Sequence, residues 1–197
     1  MAKPQVRTEL PVDEWLAGIA AIPKADFTRD NVHRYMFQNA IDRKTLEPYV
    51  FFSSKRYARN LVFKNAVFEC LAMCWDIGQA SSIHDHNDKL GWIYLTEGRL
   101  FVQNYSIEAR DPVRRTCRVV PTNSAQLSAN NKAYVDRDEA VHKVSNLAEY
   151  QQRAVSVHVY QQPMSQCEVY SLETGSYDVI QLAYTSQYGK LNPAVQC

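Results

Sequence analysis

Gly78–Gly98, GQASSIHDHNDKLGWIYLTEG, decides the fold. His84 and His86 lie one residue apart in a segment that reads as a strand, and residues two apart on a strand share a face. Two imidazoles on one face of a rigid strand are half of a metal site. His142 sits far downstream in a second strand-like segment, AVHKVSN at 140–146. Three neutral imidazoles suit iron, copper, zinc or nickel better than calcium or magnesium. An isolated HxH is equally compatible with surface or internally satisfied histidines, so the flanking residues must carry the argument.

Outward from that stretch, short segments rich in Val, Ile, Tyr, Phe and Thr recur between turn residues. Strands are expected near Tyr57–Lys64, Glu69–Trp75, Gly91–Leu95, Arg99–Ser106, Thr116–Val120, Lys132–Val135, His142–Ser145, Val155–Tyr160, Glu168–Ser171 and Tyr177–Tyr184. Many short strands at close spacing indicate a sandwich or barrel. Gly98 in TEGRL reads as a hairpin turn, and ETGSY at 173–177 as another. A small barrel can enclose one ligand or metal among its inward side chains.

The first fifty residues read as helical. PVDEWLAGIAAI puts Trp15, Leu16, Ile19 and Ile22 near one face at helical spacing. Pro23 interrupts, and TRDNVHRYMFQNAI forms a second helical stretch with Thr28 as N-cap. His33 falls there as a surface or partly buried polar residue. The expected organisation is one mainly β domain over 1–197: a helical extension at 1–50, a small barrel at 51–190, and an exposed tail at 191–197.

The chain has 197 residues, 46% hydrophobic and 22% charged, which suits one globular domain. Formal net charge is +1 with Lys and Arg scattered, which argues against nucleic acid as a partner. No apolar run approaches a membrane span, and MAKPQVRTELPVDEW has no signal-peptide core, so the cytoplasm is expected. The five cysteines, Cys70, Cys74, Cys117, Cys167 and Cys197, are odd in number and irregularly spaced, unlike a disulfide framework. Cys70 and Cys74 sit in the apolar FECLAMCW without a second pair, so reduced buried thiols are expected rather than structural zinc.

Gly78, then His84-x-His86 and Gly98, together with His142 and Asn146, resemble the two motifs of the cupin superfamily. The implied fold is a cupin small β-barrel or jelly roll. Most cupins carry a glutamate ligand shortly after HxH; here the segment is NDKLG. That departure leaves three histidines and points to the thiol dioxygenase branch. The chain resembles the cysteine dioxygenase family in four segments: YARNLV at 57–62, CWDIGQASSIHDH at 74–86, HKVSN at 142–146 and AVSVHVYQQP at 154–163. Their order and spacing agree over roughly residues 50–190.

The resemblance implies ferrous iron on His84, His86 and His142, with a small-molecule thiol and O₂ as the reacting partners. It implies that Arg59 anchors the substrate carboxylate, a role for which the planar guanidinium fork is suited. Tyr57 shares that strand face. Tyr160 places its hydroxyl near substrate and oxygen, and His158, two residues earlier, fixes it. Leu182 falls at an apolar pocket position, Trp75 and Cys74 pack beneath the site, and Cys167 lies near the pocket entrance with no chemical role. Without the resemblance, Arg59 reads as a surface ion-pair partner and Tyr160 as a buried, satisfied phenol.

Two positions depart from the family pattern. Gly91 occupies the place of a cysteine that crosslinks to the active-site tyrosine in mammalian-type members, so Tyr160 is expected unmodified, as in bacterial-type members. After Tyr160, Gln161-Gln162-Pro163 replaces a Ser-Pro-Pro run with a cis bond, so the 161–162 bond is expected to be trans. The reading is an enzyme, a monomer, that oxidises L-cysteine to its sulfinate in cysteine catabolism. The rivals are another thiol acid, 3-mercaptopropionate or mercaptosuccinate, and a non-catalytic metal-binding cupin sensor.

Overall fold

The computed structural model describes residues 8–128, 134–135 and 141–193. In chain order the elements are β1 Thr8–Leu10, α1 Val12–Ala20, α2 Arg29–Gln38, β2 Asn39–Ile41, α3 Arg43–Leu46, β3 Ala58–Lys64, β4 Phe68–Trp75, β5 Ile83–His84, β6 Gly91–Glu97 and β7 Arg99–Asp111. They continue with β8 Thr116–Ser128, β9 Tyr134–Val135, β10 Val141–Ser145, β11 Ala154–Gln161, β12 Gln166–Ser171, β13 Ser176–Gln181, β14 Ser186–Gln187 and β15 Lys190–Leu191. The mainly β class with N-terminal helices is as expected. No helix among the described residues is long and apolar enough to cross a membrane.

Six strands close on themselves in the order β10-β5-β12-β13-β8-β7, and seven form a second sheet, β15-β14-β3-β4-β11-β6-β9. The second sheet is covered on both faces, which explains why FECLAMCW in β4 is buried at every residue and reads as a continuous apolar run. Its alternation is nevertheless strict. Cys70, Ala72 and Cys74 of β4, with Val155, Val157 and Val159 of β11, pack under the helices. Leu71, Met73 and Trp75 of β4, with Tyr160 of β11, face the barrel strands across a second core. The period-two geometry of a strand lets one segment serve both layers.

The helices close the outer layer. Trp15, Leu16 and Ile19 of α1 bury one stripe, as their spacing predicts. Trp15 and Trp92 are fully buried there. Each indole removes ~150–250 Å² from water, on the order of 4–6 kcal/mol as an upper bound. Thr28 caps α2 as expected, its hydroxyl accepting from the Asn31 amide at 3.4 Å.

Several expectations need correction. The first fifty residues are not wholly helical, because β1 and β2 pair in parallel from Thr8↔Asn39 to Leu10↔Ile41. Asn39 turns extended after α2, and its backbone amide and Nδ2 both donate to the Tyr35 carbonyl that the helix end leaves open. Gly98 is not a hairpin turn. β6 bonds to β11 and β9, whereas β7 bonds to β8 and β10. Gly98, at φ +82°, is the corner where the chain leaves one sheet for the other, and a Cβ there would collide with the Arg153 carbonyl and Ala154. ETGSY does form a hairpin between β12 and β13, with Gly175 at φ +62°. The strand expected over Tyr177–Tyr184 stops at Gln181. Lys190–Leu191 pair with Ser186–Gln187, so a strand crosses the expected start of the tail. Residues 132–133 and 194–197, which includes Cys197, lie outside the described residues.

Candidate metal centre and its pocket

His142 on β10 and His84 on β5 are directly opposed across an antiparallel pair. His86 reaches the same point by a different route from the one expected. β5 ends at His84, so strand alternation does not extend to His86. The chain turns immediately after it through Asn87 and Asp88, both at positive φ, a conformation Asn and Asp tolerate well. The turn is held from both sides: Asp85 Oδ1 accepts from the Glu168 amide at 2.9 Å, and Asn87 Nδ2 donates to the Gln166 carbonyl at 2.8 Å.

The ligand-capable atoms of the three histidines lie within 4.8 Å of one another. The three rings sit edge to face with centroids 4.8 to 5.4 Å apart. His84 Nδ1 donates to the Ser82 carbonyl at 3.0 Å, which leaves Nε2 with its lone pair toward the cluster. His86 Nε2 is buried without a hydrogen-bond partner. Burial, and then the neighbouring histidine His142, push His84 down to about 3, and the same causes hold His86 well below its usual value. Neutral imidazoles at His84 and His86, with His142 beside them and all three ligand-capable atoms within 4.8 Å, fit a divalent first-row transition metal.

The histidines line one side of a pocket of about 500 Å³, counting its open mouth. Opposite them is Arg59 on β3, 8% exposed, with Nε and Nη2 buried and unpartnered. Its backbone is clamped by Thr185: the Arg59 amide donates to Thr185 Oγ1 at 3.1 Å, and the Thr185 amide donates to the Arg59 carbonyl at 2.7 Å. Tyr57, just ahead of β3, stacks on Trp75 at 4.6 Å between centroids and 18° between planes. Such a pair is worth ~0.5–1.5 kcal/mol beyond its buried area. Met73, Met164 and Leu182 supply apolar wall. Leu182 lies past the end of β13 rather than on it.

β11 carries a polar row into this pocket. Trp75 Nε1 donates to Ser156 Oγ at 2.9 Å, Ser156 Oγ and His158 Nε2 are 2.8 Å apart, and His158 Nδ1 and Tyr160 Oη are 3.0 Å apart. A neutral imidazole donates through one nitrogen and accepts through the other, so His158 couples the two hydroxyls. Burial keeps His158 well below its usual value and raises Tyr160 above the usual phenol range. Sequence reasoning missed Ser156, although its i, i+2, i+4 spacing with His158 and Tyr160 in VSVHVY is the signal that would find it. Trp75 is at the site as expected, but Cys74 points the other way and joins the core under the helices.

Gly91 lies against both the metal cluster and the tyrosine. A Cβ there would be 2.9 Å from His86 Cε1 and Nδ1 and 3.4 Å from Tyr160 Cδ1. The bond after Gln161 is trans, and Gln162 adopts φ +66°. Cys167 lines the pocket, its thiol pushed up to about 11 by burial and by Asp85. Cys70, Cys74, Cys117 and Cys167 are all free thiols.

A family model described as cysteine dioxygenase type I matches residues 7–173. Among curated relatives, cysteine dioxygenase type 1 of Danio rerio is 28% identical over 193 residues, covering 95% of this chain and 94% of the relative. The Homo sapiens protein of that name is 27% identical over the same shares. Among solved structures, an RmlC-like cupin protein from Desulfovibrio desulfuricans has a TM-score of 0.38 at 20% identity, covering 58% of this chain and 89% of that one. A Klebsiella pneumoniae protein with a double-stranded β-helix domain has a TM-score of 0.45 at 14% identity, covering 69% and 87%.

Proposed function

Because the chain belongs to the cysteine dioxygenase type I family, with the mainly β cupin fold and a three-histidine metal site, we propose that this thiol dioxygenase uses iron(II) to oxidise L-cysteine to cysteine sulfinate. The observation that carries the substrate is Arg59. A guanidinium buried with two N–H groups unpartnered, across the pocket from three histidines, is a receptor for a carboxylate. An uncompensated buried charge is costly unless a ligand pairs with it.

In this reading His84, His86 and His142 hold the iron. When bound, the iron supplies the centre at which a thiolate and O₂ meet, and three neutral ligands leave its positive charge available to favour the thiolate. Both oxygen atoms end on sulfur, whose four-electron oxidation matches the four-electron reduction of O₂, so neither NAD nor 2-oxoglutarate is required.

The chain's own residues orient and exclude. Arg59 pairs with the substrate carboxylate, and Tyr57, stacked on Trp75, walls that end of the pocket. Tyr160, kept protonated by burial, presents its hydroxyl to substrate and oxygen. His158 fixes that hydroxyl, and Ser156, itself held by the Trp75 indole, fixes His158. Leu182, Met73 and Met164 keep water from the reacting sulfur. Gly91 offers no thiol, so Tyr160 stays an unmodified tyrosine, the bacterial-type pattern.

A different thiol acid, such as 3-mercaptopropionate or mercaptosuccinate, is the second reading. It is favoured by the wall at Gln161–Pro163, where Gln162 takes a left-handed conformation. The test is anaerobic reconstitution with Fe(II), then O₂ uptake with L-cysteine, 3-mercaptopropionate and mercaptosuccinate side by side, with His142→Ala as the metal-binding control. Uptake with L-cysteine that yields sulfinate, tracks iron content and vanishes in the control is expected. Uptake with another thiol alone moves the substrate, and uptake with none removes the activity.

A further inference from the structure

Glu69 is fully buried on β4, in the row with Leu71, Met73 and Trp75 that faces the pocket side of the sheet. Among the described residues no cation forms an ion pair with it. A buried carboxyl group without a counter-charge is expensive unless its hydrogen bonds are satisfied. Its two oxygens bond to two different chain segments. Oε1 accepts from the Met164 amide at 3.2 Å, and Oε2 accepts from the Tyr184 hydroxyl at 2.6 Å.

Those two segments supply part of the apolar wall of the pocket. Met164 follows the Gln161-Gln162-Pro163 turn and lines the cavity, and Tyr184 is two residues beyond Leu182, which also lines it. The Leu182 amide donates to the Ser165 carbonyl at 2.8 Å, so the two segments are joined to each other above the carboxylate. Thr185, next after Tyr184, is the residue that clamps the Arg59 backbone. One carboxylate therefore ties together the Met164 turn, the Leu182 segment and, through Thr185, the strand that carries Arg59.

We propose that Glu69, with Tyr184, is a positioning residue that sets the distance between Arg59 and the Met164–Leu182 wall, and so the length of thiol acid the pocket accepts. The inference rests on the proposed thiol dioxygenase activity and deepens it. Glu69 touches neither substrate nor metal. It acts by denying the wall the outward shift that a longer substrate needs. A site of fixed size discriminates one methylene by about 10–200-fold.

The test compares the iron-loaded protein with Glu69→Gln, which keeps only one carbonyl acceptor, and with Glu69→Leu/Tyr184→Phe, which replaces both partners by apolar groups. kcat and KM are measured for L-cysteine and for L-homocysteine, one methylene longer, and amide hydrogen exchange is followed at Met164 and along β11. The unaltered protein is expected to prefer cysteine by ~10-fold or more. In the variants that preference falls to within about threefold, because KM for L-homocysteine falls as the wall yields while kcat for L-cysteine changes less than about twofold. Met164 exchanges faster while β11 does not, which separates a loosened wall from general destabilisation. An unchanged preference in the double variant overturns the proposal, as does faster exchange spread over β11. If the unaltered protein oxidises no thiol, the activity itself falls and this role with it, a result distinct from an active enzyme with unchanged preference.

Discussion

Replacing Arg59 by alanine removes the buried guanidinium that faces the histidines, and the size of the effect can be worked from the pocket. Nε and Nη2 are both buried and both without partners, so a bound carboxylate gains two charge-assisted hydrogen bonds. Each is worth about 1.5–3 kcal/mol, so Arg59→Ala is expected to lower kcat/KM for L-cysteine by ~10²–10⁴-fold. Deleting the carboxylate from the substrate instead, with cysteamine, should cost the native protein a similar factor. The decisive quantity is the coupling between the two deletions. With cysteamine, Arg59→Ala should change kcat/KM by less than about threefold, because the interaction is already gone. Arg59→Lys should recover about tenfold of the loss as a point charge without the fork. The assay is O₂ uptake at matched iron content. Iron content must be matched because the Arg59 charge contributes to holding His84 and His86 neutral. Equal losses with cysteine and cysteamine would refute the reasoning, since Arg59 would then act on the metal cluster and not on a carboxylate.

Ser156→Ala should leave iron content intact and lower kcat by ~10-fold, less than the ~10²–10⁴-fold of a group that itself transfers the proton, since His158 loses one of its two hydroxyl partners but stays in place. A kcat within twofold of native would remove Ser156 from the reaction. Acid should destabilise the metal-free protein below pH ~6.5: the unfolded chain takes protons on His84, His86 and His158, while the folded state holds His84 to about 3 and the other two well below 6.5. Stability is therefore full above the unfolded value and lost as pH falls, and a melting temperature equal at pH 7.5 and pH 5.0 would contradict this. Gly91→Ala should weaken iron retention, because its Cβ would meet the His86 ring at 2.9 Å. The proteolytic peptide that carries Tyr160 should have the mass its sequence gives, whereas linkage to a cysteine peptide with loss of two hydrogens would reveal a crosslink.

What could be read from the residues alone was whatever depends on local pattern. The α1 stripe, the Thr28 cap, the ETGSY hairpin and the alternation in VSVHVY all follow from spacing. The convergence of His84, His86 and His142 was also legible, but for a partly wrong reason. His86 is delivered by a turn at Asn87–Asp88, and whether a strand stops two residues early depends on neighbours that a sequence does not display. Gly98 shows the same limit. A glycine between two strands looks the same whether the chain doubles back or passes to another sheet, and only the partners of β6 and β7 decide. Glu69 was invisible for a third reason: in FECLAMCW it resembles an edge residue, and its meaning lies in Tyr184, 115 residues away.

Consider finally the two-sided strand Ala154–Gln161. Its valines belong to a greasy layer and its Ser156, His158 and Tyr160 to the reacting one, interleaved without a gap. Meaning along this stretch is written in parity. Loss or gain of a single codon within it would exchange the two alphabets wholesale, driving imidazole and phenol beneath the helices and valines into the cavity. Point changes here degrade one function at a time, whereas an odd-length indel abolishes folding and chemistry together. The strand can absorb a change of residue more readily than a change in the count of residues.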